Sequence, residues 1–231
     1  QRQLTWFDQA GTSLGTVGEP GDYVNVSLSR DDRRVAVTLV AGSPANPDVW
    51  LIDRERANAF THFSFDPAAE SLPVWSPNGT EVAFSTIRGG GPPNIYVKAV
   101  NNSAQEKLAW KSATSNYALD WSRKGDFLAY TDHTVETGVD LWVLQRSGET
   151  WKPLPFLRTP SNEDNPAFSP DVQWIAYDSN EYGGTTEIYV QPFPAAPGSP
   201  CQVSRNGGIQ PMWRDDGKSH GTRCRHRYAG L

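Results

Sequence analysis

Apolar and polar positions alternate along this chain in short runs, each bounded by turn-forming residues, and no segment sustains a 3.6-residue period. Arg34-Val35-Ala36-Val37-Thr38, Glu81-Val82-Ala83-Phe84-Ser85, Phe127-Leu128-Ala129-Tyr130 and Trp174-Ile175-Ala176-Tyr177 are rich in β-branched and aromatic residues. Such runs read as strands. An aromatic residue or leucine followed by a tight turn stands before each: Leu28-Ser29-Arg30-Asp31-Asp32, Trp75-Ser76-Pro77-Asn78-Gly79, Trp121-Ser122-Arg123-Lys124-Gly125 and Phe168-Ser169-Pro170-Asp171-Val172. A fifth copy is Trp213-Arg214-Asp215-Asp216-Gly217. Pro at the second turn position fixes φ, and Asn-Gly supplies the residue that accepts a positive φ. Two turns, at Asp32 and Val172, lack that glycine and are expected to be looser.

The anchors Leu28, Trp75, Trp121, Phe168 and Trp213 lie 47, 46, 47 and 45 residues apart. A third strand keeps the same beat in Asp48-Val49-Trp50-Leu51, Asn94-Ile95-Tyr96-Val97, Asp140-Leu141-Trp142-Val143 and Glu187-Ile188-Tyr189-Val190. A more polar fourth follows, as in Glu106-Lys107-Leu108-Ala109, which suits an outer edge. Self-similarity of this length with four short strands per unit predicts an all-β, five-bladed β-propeller of four-stranded antiparallel blades. The expected domain is a single one covering residues 1–231, with helix near zero.

The two ends are out of phase with the repeat. Leu4-Thr5-Trp6-Phe7-Asp8 matches Val49-Trp50-Leu51-Ile52-Asp53 at an offset of 45, so it reads as a third strand, with Ser13-Leu14-Gly15-Thr16-Val17 as its fourth. Residues 209–213 read as a first strand without its later partners. The expectation is that the N-terminal strands pair with this C-terminal strand and close the ring. After Lys218 the repeat calls for an apolar second strand, and the chain instead reads Ser219-His220-Gly221-Thr222-Arg223-Cys224-Arg225-His226-Arg227, so residues 218–231 form an atypical tail.

Composition narrows the function. A net charge of −5, with no run of Lys or Arg before Arg223, disfavours nucleic acid and anionic membrane surfaces as partners. No apolar stretch approaches the ~18 residues of a membrane span, and no signal peptide is recognisable at Gln1. Cys201 and Cys224 fit either redox compartment, and spacing alone does not pair them.

The units built on Trp75-Ser76-Pro77-Asn78-Gly79 and Asn94-Ile95-Tyr96-Val97 resemble the repeat of the TolB-like, WD-repeat-like propeller family. More narrowly, the stretches Trp6-Phe7-Asp8, Gly18-Glu19-Pro20-Gly21-Asp22-Tyr23 and Gln210-Pro211-Met212-Trp213-Arg214 resemble the propeller attached to certain bacterial membrane serine/threonine kinases. The resemblance implies a ligand- or protein-binding sensor module in a periplasmic or extracytoplasmic setting. Any catalysis would then lie in a kinase domain, whose signatures this chain lacks.

Candidate chemistry falls into two groups. Gly11-Thr12-Ser13-Leu14-Gly15 matches the nucleophile-elbow pattern, which needs a strained strand-to-helix turn to expose the serine. Here it falls in a strand-to-strand hairpin, so a turn is the better reading and Ser13 a weak esterase candidate. The second group sits on the loops leading into the first strands, which in a propeller converge on the channel mouth. These loops carry Asp22, Tyr23, Glu70, Asn116, Tyr117, Glu163, Asp164 and Arg205, with Asp120 inside a first strand. Such a ring suits a small polar molecule or a protein partner. Glu70, Asp164 and Asp120 would serve as acids were the chain a glycosidase. Glu70 and Asp164 are expected on solvent-facing loops. The histidines His62, His133, His220 and His226 show no metal-ligand spacing, so no metal and no cofactor is expected. The anchor tryptophans read as packing residues, while Trp110 and Trp151 lie off the anchors and are expected to be exposed. The sequence thus favours a non-catalytic binding module, with a hydrolase as the alternative.

Overall fold

In a computed structural model, the described residues are 1–214 apart from 9, 43–44, 57, 102–104, 182–183 and 197–199. The turn at Asp215–Gly217, Cys224, His220, His226 and the atypical tail lie outside them. The chain divides into two compact units, Gln1–Ala118 and Leu119–Leu231.

In the first unit, β1 (Arg2–Phe7), β2 (Ser13–Leu28), β3 (Arg34–Ala41), β4 (Asn46–Asp53) and β5 (Ala59–His62) follow one another in chain order across one sheet. A second sheet holds β6 (Glu70–Trp75), β7 (Glu81–Thr86), β8 (Asn94–Ala99) and β9 (Lys107–Trp110). A third is formed by β10 (Ser115–Trp121), β11 (Phe127–Thr134), β12 (Gly138–Ser147) and β13 (Thr150–Leu157), the unit boundary falling within β10. The fourth, in the second unit, holds β14 (Glu163–Phe168), β15 (Trp174–Ser179), β16 (Glu187–Pro192) and β17 (Cys201–Gln202). Every pairing described is antiparallel, and the one helical segment among the described residues is a 3-10 turn, Arg88–Gly90. The expected all-β architecture of antiparallel sheets is what the chain adopts, three of the four sheets being four-stranded and the first five-stranded.

The repeated turn has one geometry throughout. Its serine donates its amide to the residue five further on: Ser29 to Arg34 O (2.8 Å), Ser76 to Glu81 O (2.9 Å), Ser122 to Phe127 O (2.8 Å) and Ser169 to Trp174 O (2.9 Å). The serine Oγ accepts the reciprocal amide in each, at 2.9 to 3.0 Å. In three of the four, the same hydroxyl donates to Asp31, Asn78 or Asp171. The two glycine-less turns are no looser. Asp32 and Val172 adopt φ 56° and 63°, beside 67° and 82° at Gly79 and Gly125, and make the same 2.9 Å bond back to the serine carbonyl. The serine clamp therefore imposes the left-handed conformation even on a β-branched side chain. At Gly79 a Cβ would lie 2.6 Å from Arg34 Nη2, whose guanidinium bonds Gly79 O and covers the Trp75 ring. Gly79→Ala is expected to lower stability by ~1–2 kcal/mol, from left-handed backbone strain and displacement of Arg34. Urea titration checks this, and an unchanged midpoint would refute it.

The anchors Trp75 and Phe168 pack on the sheet of the preceding repeat. Trp75 joins Ala36, Val49, Leu51 and Phe63 in one apolar cluster, and its Nε1 donates to Ser27 O at 3.1 Å. Trp213 Nε1 donates likewise to Ala167 O at 2.9 Å. Trp75, Trp121 and Phe168 are 5%, 2% and 6% exposed, whereas Leu28, with no repeat before it in its unit, is 44% exposed. Trp151, expected to be exposed, is half-buried and packs edge-on to Trp121 at 5.6 Å; Trp110 is half-buried too.

The chain ends depart from expectation. β1 and β2 do form a third-and-fourth-strand hairpin, with Leu4 opposite Val17 and Trp6 opposite Gly15. The rest of β2, residues 22–28, pairs β3 instead. Residues 209–213 form no strand, so the expected pairing that would close a ring is not found among the described residues. The phase of the repeat supplies the side chains for such a strand but not the ladder.

Candidate functional site

Five residues before each anchor the repeat places a residue at the start of the first strand: Tyr23, Glu70, Asn116 and Glu163. All four are buried, Tyr23 at 3% exposure and the other three at 0%. A polar group in that setting must find an internal partner. Tyr23 donates its hydroxyl to Glu19 O at 2.7 Å, and burial raises its pKa. Asn116 donates through Nδ2 to Ser112 Oγ (2.5 Å) and Thr114 O (2.6 Å). Glu163 accepts from the Thr159 hydroxyl. Glu70 accepts from Arg88. These side chains tie each first strand to a neighbouring loop, and the expectation that Glu70 faces solvent is corrected accordingly.

Glu70 belongs to a larger cluster in the first unit. The Arg88 guanidinium also pairs with Glu106, sets its Nε 3.2 Å from Asp66 and lies over the Tyr96 ring at 4.7 Å. Lys98 Nζ donates to Phe63 O at 2.6 Å and lies 3.4 Å from Glu106. Burial pushes the Glu70 carboxyl up to about 7, held back by the Ser64 and Arg88 hydrogen bonds and raised further by the Glu106 charge. Arg88 and Lys98 thus face the carboxyl groups of Asp66, Glu70 and Glu106. The chemistry of this cluster is charge balance. In the second unit burial likewise lifts Glu163 to about 7, and the negative charges of Asp140 and Glu181 add to it.

The remaining candidates are more dispersed. Asp22, 63% exposed at its side chain, borders an open pocket of about 230 Å³ together with Gln1, Arg2, Tyr23 and Val24. Tyr117 and Asp164 are half-buried and Arg205 is exposed. Asp164 accepts the amide of Asn165, whose side chain in turn donates to Asp178 at 2.9 Å. Asp120 accepts the Phe168 amide at 2.7 Å, a strand-positioning bond. Ser13 is exposed at the first position of β2, opposite Phe7. The turn before it is closed by Asp8, which accepts the amides of Ala10 and Thr12 at 2.9 and 2.8 Å. No helix follows, so the nucleophile-elbow geometry does not arise there.

Two features escaped the sequence reading. Arg88 could have been suspected from its place before three glycines, the one cation of that loop. His62 stacks on Trp50 at 4.5 Å and sets Nε2 3.1 Å from Asp48 Oδ2. Asp48 heads the third strand, and its counterparts Asn94, Asp140 and Glu187 all bind groups from the following strand or loop. The shared signal was the polar residue opening each third-strand motif. Among the described residues no group of three His, Cys, Asp or Glu side chains is arranged to hold a metal ion.

No family model matches the chain. A stretch of 59 residues is 37% identical to the Tol-Pal system protein TolB of Alcanivorax borkumensis, covering 26% of this chain and 13% of that one. Among solved structures, TolB from Acinetobacter baumannii superposes with a TM-score of 0.64 at 20% identity, over 80% of this chain and 44% of the other. For TolB from Agrobacterium tumefaciens the values are 0.71 and 16%, over 89% and 70%. The fold is shared with enzymes as well, among them an oligogalacturonate lyase at a TM-score of 0.67 and 11% identity. With these relatives and its repeated four-stranded antiparallel sheets, the chain has the fold of a TolB-like β-propeller.

Proposed function

We propose that this chain is a non-catalytic binding module that recognises a partner protein, or a small polar ligand, through the loops leading into its first strands. The observation that carries this reading is the use made of the candidate acids. Glu70, Glu163 and Asp120 are spent on internal hydrogen bonds that hold strands and loops in place. Of the other candidates Asp22 and Arg205 are exposed, while Tyr117 and Asp164 are half-buried in β10 and β14. Likeness to TolB, a component of the Tol-Pal system, supports a protein partner and an extracytoplasmic setting. The narrower resemblance to kinase-attached propellers supports a module of a larger protein, and the repeat phase supports five blades. No helix among the described residues is long and apolar enough to cross a membrane.

The alternative is an enzyme, favoured by the lyase that shares the fold. An assay of ester and glycoside hydrolysis separates the two. Purified protein should give no turnover that is lost in Ser13→Ala or in Asp164→Asn. Partner capture from an extracytoplasmic extract should weaken at least several-fold when Asp22 and Arg205 are exchanged for opposite charges, with the melting curve unchanged. Robust hydrolysis abolished by Ser13→Ala would overturn the binding-module reading.

A further inference from the structure

Asparagine followed by glycine occurs twice in this chain, at Asn78-Gly79 and at Asn206-Gly207. Such a step is chemically fragile. The glycine amide nitrogen can attack the side-chain carbonyl carbon of the asparagine, and glycine has no Cβ to shield that nitrogen or to restrict the backbone. Both asparagines are exposed, so water reaches each of them. Their surroundings differ.

Asn78 belongs to a serine-clamped turn. Its Oδ1 accepts from Ser76 Oγ at 2.8 Å, from the Thr80 amide at 3.1 Å and from Thr80 Oγ1 at 2.8 Å. These bonds aim the side-chain carbonyl at the amide two residues on, past that of Gly79. The Gly79 N–H itself donates to Ser76 O at 2.9 Å. Attack at Asn78 therefore requires four hydrogen bonds to be given up. Asn206 lies in the loop after β17, and among the described residues none bonds its side chain. The nucleophile there is held by one bond, from the Gly207 N–H to Glu187 Oε1 at 2.8 Å. An ionised acceptor makes that bond roughly twice as strong as a neutral one, which is still short of four. Asn206 also stands at φ 76°, a left-handed conformation that residues with a side chain hold at a cost.

We propose that Asn206 is a site of spontaneous deamidation in the folded protein, whereas the serine clamp shields Asn78. Gly207 N gives its proton to solvent and bonds to Asn206 Cγ. The Cγ–Nδ2 bond breaks, and the departing nitrogen takes a proton from solvent and leaves as ammonia. Water then opens the cyclic imide at either of its two carbonyls, giving aspartate or isoaspartate at position 206. Both products set a carboxylate beside Arg205 where a neutral amide stood. The inference is independent of the binding role proposed for the loops.

The test follows the freshly purified full chain at pH 8 by peptide mapping and mass spectrometry, scoring aspartate and isoaspartate separately at the two positions. Position 206 is expected to convert at least tenfold faster than 78, with both products present. In denaturing urea, where the clamp is gone, that ratio should fall at least threefold. Ser76→Ala and Thr80→Ala each remove one bond to Asn78 Oδ1 and should speed conversion at 78 several-fold while leaving 206 unchanged. Thr80 is exposed, so its variant keeps the test open should Ser76→Ala fail to fold. Conversion at 78 as fast as at 206, absence of isoaspartate at 206, a ratio unmoved by urea, or clamp variants as slow at 78 as the parent each overturns the proposal.

Discussion

Trp121→Ala is expected to lower the free energy of unfolding by ~3–5 kcal/mol, the range for truncating a buried large aromatic. Trp121 is 2% exposed, donates Nε1 to Gly125 O at 3.1 Å and packs edge-on to Trp151 at 5.6 Å. The Arg146 guanidinium covers both rings, at 5.9 and 5.2 Å. The substitution therefore removes apolar area, opens a cavity and strips a partner from the turn that starts β11. Urea unfolding with an unchanged slope should show the full loss, equivalent to a fall of roughly 10 °C in melting temperature for a chain of this size. Trp151→Ala should cost less by itself. Because the two rings touch, the double variant should fall short of the sum by ~0.5–1.5 kcal/mol. A loss below ~1 kcal/mol for Trp121→Ala would show that the repeat anchor does not mark the core.

Stability should fall, not rise, as pH increases from 5 to 8, and Glu163 should account for much of the change. Burial and the charges of Asp140 and Glu181 lift its carboxyl to about 7 in the folded chain, against 4.5 for an ordinary glutamate. Between those values the folded protein holds a proton that the unfolded chain has released, so each step up in pH favours unfolding. At 1.36 kcal/mol per pH unit, the whole window corresponds to at most about 3 kcal/mol. Glu163→Gln keeps an oxygen to accept from Thr159 and removes the titration. The variant should melt several degrees above the parent at pH 8, with the gap closing towards pH 5. Glu70 shares the elevated value, but Glu70→Gln would also strip Arg88 of a carboxylate and confuse the result. Parallel melting profiles for parent and Glu163→Gln would remove Glu163 from the account.

The fold was legible because its signals are local and repeated. Turn serines, apolar triplets and anchors sit within a dozen residues of one another, and the structure uses the turns and triplets as their spacing suggests, although the anchor Leu28 stays 44% exposed and residues 209–213 form no strand. The candidate site was only half legible. Glu70 and Glu163 open their strands just after polar loops, so they read as wet, and nothing nearby announces Arg88, 18 residues on, or the Thr159 hydroxyl. Burial of a carboxylate depends on partners brought by other strands, which spacing along one repeat does not encode. The glycine-less turns show the converse error. Composition alone underrates how firmly the side chains of Ser29 and Asp31, or Ser169 and Asp171, hold a backbone shape.

The serine-clamped turn also bears on how the chain reaches its native state. Each turn closes over six residues through its own side chains, and in all four sheets neighbouring strands are consecutive in sequence. Sheets of this kind need few long loops to be closed before contacts begin to form, which places their folding at the faster end for all-β proteins. Any repeat can then serve as the starting point, since its turn and first hairpin form without waiting for distant segments.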